Sequence, residues 1–178
     1  MCSYENVRIE TADLLLKKAM QDDWKDMYEN LWQHKESAKY MLWNVTTSEA
    51  DAFSRMERTI ECEKKEKYAL LVYEKRTGKA IGFAGMRELE PGVFEELGIA
   101  IGPAFTGKGY GKQILNALVQ EAFDHCNATE FRACCRRANL ASHNLQISCG
   151  FTFSHEEDKI DPRDDTAYVM ECNVKYHE

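Results

Sequence analysis

Long apolar runs are missing from this sequence: the longest are strand-sized, far below the roughly 20 residues a helix needs to cross a bilayer. No membrane association is expected. Met1 to Glu10 carries Glu5, Arg8 and Glu10 and lacks the apolar centre of a signal peptide, so a cytoplasmic address is expected. Basic residues are also in deficit. Lys and Arg number 23 against 30 Asp and Glu, leaving a net charge of −7, and no basic patch interleaved with aromatics occurs. That argues against a nucleic-acid partner, because neutralising phosphates supplies most of such affinity. No repeat, low-complexity tract or Pro/Ser-rich linker divides the 178 residues, so one domain spanning 1–178 is expected.

Seven cysteines are present, an odd number with no CxxC spacing, which argues against a closed disulfide framework and against a tetrahedral zinc site. No metal is expected. Cys134 and Cys135 are adjacent and, on a strand, point to opposite faces. They read as small buried hydrophobes. Cys149, between His143 and His155, is the thiol to check for a neighbouring base.

The order of elements is informative. Leu14 to Ala19 reads as a first strand, and Gln21-Asp22-Asp23 as the start of a helix that buries Trp24, Met27, Tyr28 and Leu31. A second helix follows Ser48 and runs from Glu49 to about Lys65, with Ser48 and Asp51 placed as a capping box. Tyr68 to Lys75, Ala80 to Glu88 and Val93 to Ile101 form a meander with turns at Gly78 and Gly92. From Gly111 a helix buries Ile114, Leu115, Leu118, Val119, Ala122 and Phe123; Glu130 to Arg136 is a strand, and Leu140 to Ser148 a helix capped at Gly150. Phe151 to His155 and Ala167 to Val174 close the chain as strands. An α/β (α+β) domain with a mixed sheet accommodates this order.

Most of the chemistry lies in Thr106-Gly107-Lys108-Gly109-Tyr110-Gly111, between a strand and an amphipathic helix. Spaced glycines there bare backbone amides at a helix start, where the dipole favours an anion. Three phosphate loops compete for this segment. Gly102 to Lys108 satisfies GxxxxGK, but Gly109 stands where a Walker A loop needs the Mg²⁺-binding hydroxyl. A dinucleotide fingerprint requires GxGxxG after the first strand of a βαβ unit, whereas the spacing here is GxGxG after a meander. The pyrophosphate loop of acyl-CoA transferases fits both spacing and position.

Residues 106–111 resemble motif A of the GNAT superfamily of N-acyltransferases, (Gln/Arg)-x-x-Gly-x-(Gly/Ala), at every position but the first, where Thr106 stands. The segments Glu10 to Lys17 and Tyr40-Met41-Leu42-Trp43 are similar to the ribosomal-protein N-acetyltransferase (RimJ/RimL-like) branch, with Asp13 where Arg is common. Asn139-Leu140-Ala141-Ser142 with Gly150-Phe151 resembles that branch's motif B. The resemblance implies a mostly antiparallel sheet flanked by helices and splayed at the central strand before the loop. It implies acetyl-CoA as co-substrate, held by Thr106, Gly107, Lys108, Gly109, Tyr110, Gly111, Asn139 and Ser142 and by the backbone of Ile99, Ala100 and Ile101. Many members carry a tyrosine general acid seven residues after the motif B Asn; Gln146 occupies that place.

Acetyl transfer from a thioester to an amine needs a polarised carbonyl, a deprotonated amine and a tolerated thiolate. The Ile101 amide is the candidate to polarise the carbonyl. Glu96, and after it Glu95, is the candidate base, since parity along the strand puts Glu96 on the face of Gly98 and Ala100. Ser142 is the candidate donor to the departing sulfur. The acceptor expected is a peptide N-terminus or a small amine, selected by Trp32 to Thr47 and Glu156 to Asp165, whose aspartates stand ready for a cation. A catalytically silent acyl-CoA sensor is the alternative, and a homodimer is compatible with the sequence.

Overall fold

The computed structural model describes residues 6–178; Met1 to Glu5, half of the segment read for a signal peptide, lie outside the described residues. A hairpin of β1 (Arg8–Glu10) and β2 (Leu14–Lys17) opens the chain. The expected first strand is therefore the second, and it stops at Lys17: Lys18 leaves the ladder to donate to the carbonyls of Glu63, Glu66 and Ala69. After a turn of 3₁₀ helix at Gln21–Asp23 come α1 (Trp24–Met27), one wide π turn at Tyr28–Trp32, and α2 (Lys35–Ala38). The π winding is closed by Gln33 N donating to Tyr28 O. It carries the Asn30 carbonyl onto Gly102, where a Cβ would lie 2.1 Å from that oxygen, while Asn30 Nδ2 holds Ala80 O at 2.8 Å.

Helix α3 (Glu49–Glu63) starts as read, with Ser48 Oγ accepting from Asp51 N at 3.1 Å. Ser48→Ala should cost about 1 kcal/mol, read as a lower midpoint in urea with unchanged slope. Strands β3 (Tyr68–Glu74), β4 (Ala80–Glu90) and β5 (Val93–Ile101) form the meander, then α4 (Tyr110–His125), β6 (Glu130–Arg136) and α5 (Leu140–Ser148) follow. The closing strands β7 (Thr152–Ile160) and β8 (Ala167–Tyr176) both outrun their sequence signal. Their extensions are polar and exposed, which hides them from a reading by hydrophobic pattern.

The sheet order is β1-β2-β3-β4-β5-β6-β8-β7, antiparallel throughout except for β5 beside β6. This is the mixed, mostly antiparallel α/β domain expected. One core lies between the sheet and α4, around Leu14, Leu16, Val72, Ile114, Leu118 and Phe131. The other lies between the opposite face and α1 to α3, around Met27, Leu31, Trp32, Met56 and Leu71. Each helix thus buries one apolar stripe against one sheet face.

Candidate active site

Two irregularities in β5 build the site. Its parallel pairing with β6 runs only from Val93↔Glu130 to Glu95↔Arg132, after which the strands part. Among the described residues the rest of β5 therefore has no paired strand on that side, and a fork opens there. The second irregularity is a bulge. Ala84 faces Ile99 but Met86 faces Glu96, so β5 has one residue more than β4 in that interval, and Gly98 absorbs it at φ 111°.

The bulge corrects the parity argument. Glu96 shares a face with Phe94 and, beyond the bulge, with Ile99; Ala100 lies on the other face, in the α3-side core. Glu96 therefore looks toward α4 and the inner residues of β6. Burial pushes its carboxyl up to about 7, opposed by a hydrogen bond from the Ile99 backbone. Glu95 projects oppositely and is taken by Arg87, whose Nε donates to it at 2.7 Å.

Gly102 N donates to Ile81 O at 2.8 Å, which fixes the ladder alternation along β5. By that alternation the backbone groups of Ala100 turn to β4, and those of Ile99 and Ile101 turn to the fork. The Ile99 amide is already taken by Glu96, which leaves the Ile101 amide facing the opening.

At the mouth of the fork, Gly107 and Gly109 hold φ of 76° and 78°, and a Cβ on either would meet nothing within 4 Å. Thr106 to Gly109 are exposed. The first backbone bond of α4 is Gln113 N to Gly109 O, so the amides from Gly107 to Lys112 have no acceptor among the described residues. Thr106 Oγ1 donates back to Pro103 O at 2.9 Å, which removes its hydroxyl proton from outside use. Lys108 Nζ sits 3.6 Å from Glu74 Oε1 and over the ring of Tyr110, whose hydroxyl donates to the same oxygen at 2.8 Å. Tyr110 thus offers the loop its amide and commits its phenol to the core. The Tyr110 hydrogen bond holds the Glu74 carboxyl below the usual range.

On the far arm of the fork, Asn139 caps α5, its Oδ1 accepting from Ser142 N at 3.2 Å. Ser142 lies within hydrogen-bond reach of the Cys135 thiol, and Gln146 Nε2 donates to its Oγ at 3.4 Å. Gln146 is fully buried and accepts from Asn173 Nδ2 at 2.7 Å; Asn173 also donates to Glu171, which pairs with His143. Sequence reasoning missed this network. Its signal was the polar Glu171 and Asn173 on alternate positions of a stretch, Ala167 to Val174, whose other residues are apolar. Among the described residues Cys149 has no His or carboxylate hydrogen-bonded to it, and its burial raises its thiol. His155 joins Glu157 and Cys172 instead, at the other edge of the sheet.

The two segments expected to shape the acceptor side do meet. Arg163, in the turn after β7, donates from Nη1 to the carbonyls of Ala38 and Trp43, each at 3.1 Å. Its other nitrogens hold Asp161, which also binds Arg136. Asp161 is therefore no cation trap; the side-chain hydrogen bonds of Arg163 and Arg136 drive its carboxyl far below the usual range. Asp164 is spent on Thr166. Arg163→Ala should cost about 2 kcal/mol, Arg136 remaining as a partner, and should raise KM for the amine more than for acetyl-CoA.

A model of the acetyltransferase (GNAT) domain matches residues 13–152. The chain belongs to the GNAT acetyltransferase family. No curated protein matches this GNAT chain by sequence. Solved structures match its fold. A GNAT acetyltransferase from Bacillus anthracis is 18% identical with a TM-score of 0.81, covering 96% of this chain and 98% of its own. The microcin C7 self-immunity acetyltransferase MccE, solved with acetyl-CoA and AMP, is 21% identical with a TM-score of 0.80, covering 94% of each. An acetyl transferase from Salmonella typhimurium that modifies the N-terminal serine of ribosomal subunit protein L7/L12 is 17% identical, with a TM-score of 0.77 and coverage of 97% and 100%. The GNAT fold and an acetyltransferase activity are thereby assigned to this chain.

Proposed function

We propose that residues 1–178 form one acetyl-CoA-dependent N-acetyltransferase domain, which moves the acetyl group directly to a primary amine in a ternary complex. The observation that carries this reading is the conjunction of amides 107–112 at the mouth of the fork with the buried Glu96 carboxyl inside it. Those amides and the N-terminal dipole of α4 would take a diphosphate. Beyond its short pairing with β6, the open side of β5 offers the Ile101 amide, the Ile99 amide being held by Glu96, and such an edge suits an extended pantetheine arm. Glu96 accepts the proton of the incoming ammonium, the amine attacks the carbonyl, and the Ile101 amide donates to the oxygen as charge develops there. Ser142, already beside one sulfur, donates to the thiolate that leaves. No residue is acylated, so the nitrogen gains the acetyl group that the sulfur loses.

The acceptor class proposed is a peptide N-terminus or a small-molecule amine, in the manner of the RimJ/RimL-like branch, with no nucleic acid, membrane or metal involved and a homodimer compatible. The six described cysteines are free thiols, which suits a reducing, cytoplasmic setting. Among the described residues no helix is long and apolar enough to cross a membrane. The silent-sensor reading keeps one observation in its favour: Gln146, where a tyrosine acid is common, is wholly buried and bonded within the protein. Thiol release from acetyl-CoA against a panel of amines decides between the two. Saturable, amine-dependent release supports transfer; tight CoA binding with no release for any amine supports the sensor.

A further inference from the structure

A cavity of about 440 Å³ lies on the α3 side of the sheet, walled by Trp32, Trp43 and Phe83 and ending on Gly85 and Leu97. Gly85 and Leu97 belong to the interval that contains the bulge, and the residue before Leu97 is Glu96. The cavity therefore reaches, from the opposite face, the strand position where the fork places its base. Its lining is mostly apolar and aromatic. Two arginines interrupt it, Arg55 inside and Arg58 exposed at the rim.

These arginines differ from the others. Arg8, Arg76, Arg87, Arg132, Arg136, Arg137 and Arg163 each hold a carboxylate of this chain. Among the described residues Arg55 and Arg58 hold none. The guanidinium of Arg55 lies between the rings of Trp32 and Trp43, at 4.6 and 4.5 Å, and its Nη1 donates only to neutral oxygens, at 2.9 Å to Thr46 Oγ1. Burial, then the charge of Arg58, lowers it to about 10, with no carboxylate pushing back. The indole nitrogen of Trp43 is buried without a partner. Glu63, the acid on the lining, is turned to the Ala19 amide at 2.7 Å, with Lys18 beside it. In a chain of net charge −7, two arginines lacking a carboxylate on one apolar cavity mark a place for an anion from outside.

We propose that this cavity selects the acceptor, and that the acceptor is a primary amine carrying an anionic group on an aromatic-sized apolar body. The inference rests on the acetyl-transfer reading above. The anion lies toward Arg58 and Arg55, the apolar body against Trp43 and Phe83, and the amine toward the bulge. Polycations such as polyamines and aminoglycosides are disfavoured by the same two charges.

The test compares benzylamine, 4-(aminomethyl)benzoate, 4-(aminomethyl)phenylphosphonate and spermidine, by thiol release from acetyl-CoA and by calorimetric binding to the CoA-loaded protein. One anionic acceptor should exceed benzylamine in kcat/KM by about tenfold, the value of one charge-assisted hydrogen bond, and spermidine should be poorest. Whether the carboxylate or the phosphonate leads names the anion. Arg58→Glu, on an exposed position, should bring that ratio to about one. Equal or better use of benzylamine or spermidine, or a ratio unchanged in Arg58→Glu, overturns the proposal. Anion-dependent binding without release keeps the cavity and removes the transferase reading; absence of anion-dependent binding removes the cavity.

Discussion

Gly109→Glu should weaken CoA binding by about 100-fold or more while leaving the protein folded. The position holds φ 78° and ψ 9°, so a side chain costs about 1–2 kcal/mol in backbone strain, and nothing within 4 Å of its Cβ adds a clash. The new side chain projects into the space that the free amides face, and its charge opposes the anion directly. Loss of two charge-assisted hydrogen bonds accounts for an effect of that size. Calorimetry with CoA measures it, and a thermal melt checks the fold. Undiminished affinity would show that the amides from Gly107 to Lys112 serve something other than a diphosphate.

Glu96→Gln should lower turnover by about 10²–10⁴-fold, the usual range for a positioned general base. The pH dependence separates this from a structural effect. With its carboxyl at about 7, Glu96 is protonated and idle at pH 5, so the rate of the parent enzyme should rise through pH 7 and level above it. The variant should lack that limb. Stability gives an independent check with a defined sign. Burial raises this carboxyl from 4.5 to about 7, so between those values the folded chain holds a proton that the unfolded chain releases. The folded state therefore loses stability as pH rises through that window. Glu96→Gln should melt with the parent at pH 4 and above it at pH 8. A pH–rate profile identical to the parent's would remove Glu96 from the mechanism.

The legible parts of this molecule were those that local chemistry determines. Ser48 announces its cap, Gly78 and Gly92 their turns, and residues 106–111 a helix start with bare amides. Strand β5 and helix α5 were legible to the residue because both ends carry glycine, asparagine or proline. What stayed hidden depends on partners distant in sequence. The bulge at Gly98 is set by how β4 and β5 share their register, and one inserted residue turns Glu96 to the face opposite that given by counting twos. Parity along the strand singles out Glu96, and the bulge removes that reason; what distinguishes Glu96 in the fold is the burial that raises its carboxyl. Arg163 reaches Ala38 and Trp43 across more than a hundred residues, and no periodicity records that. The polar ends of β7 and β8 are strands by pairing alone.

The widened turn at Tyr28–Trp32 has a consequence for how this sequence can drift. It presses the Asn30 oxygen onto Gly102, so the hydrogen at 102 and the extra residue in the turn are one joint commitment. A lineage that shortens the turn to ordinary helical winding relieves the backbone clash at position 102, leaving the Phe105 ring as its close neighbour; a lineage that fills 102 first must part the helix from the end of β5. Deletion in the turn and substitution at 102 should therefore travel together, the deletion coming first.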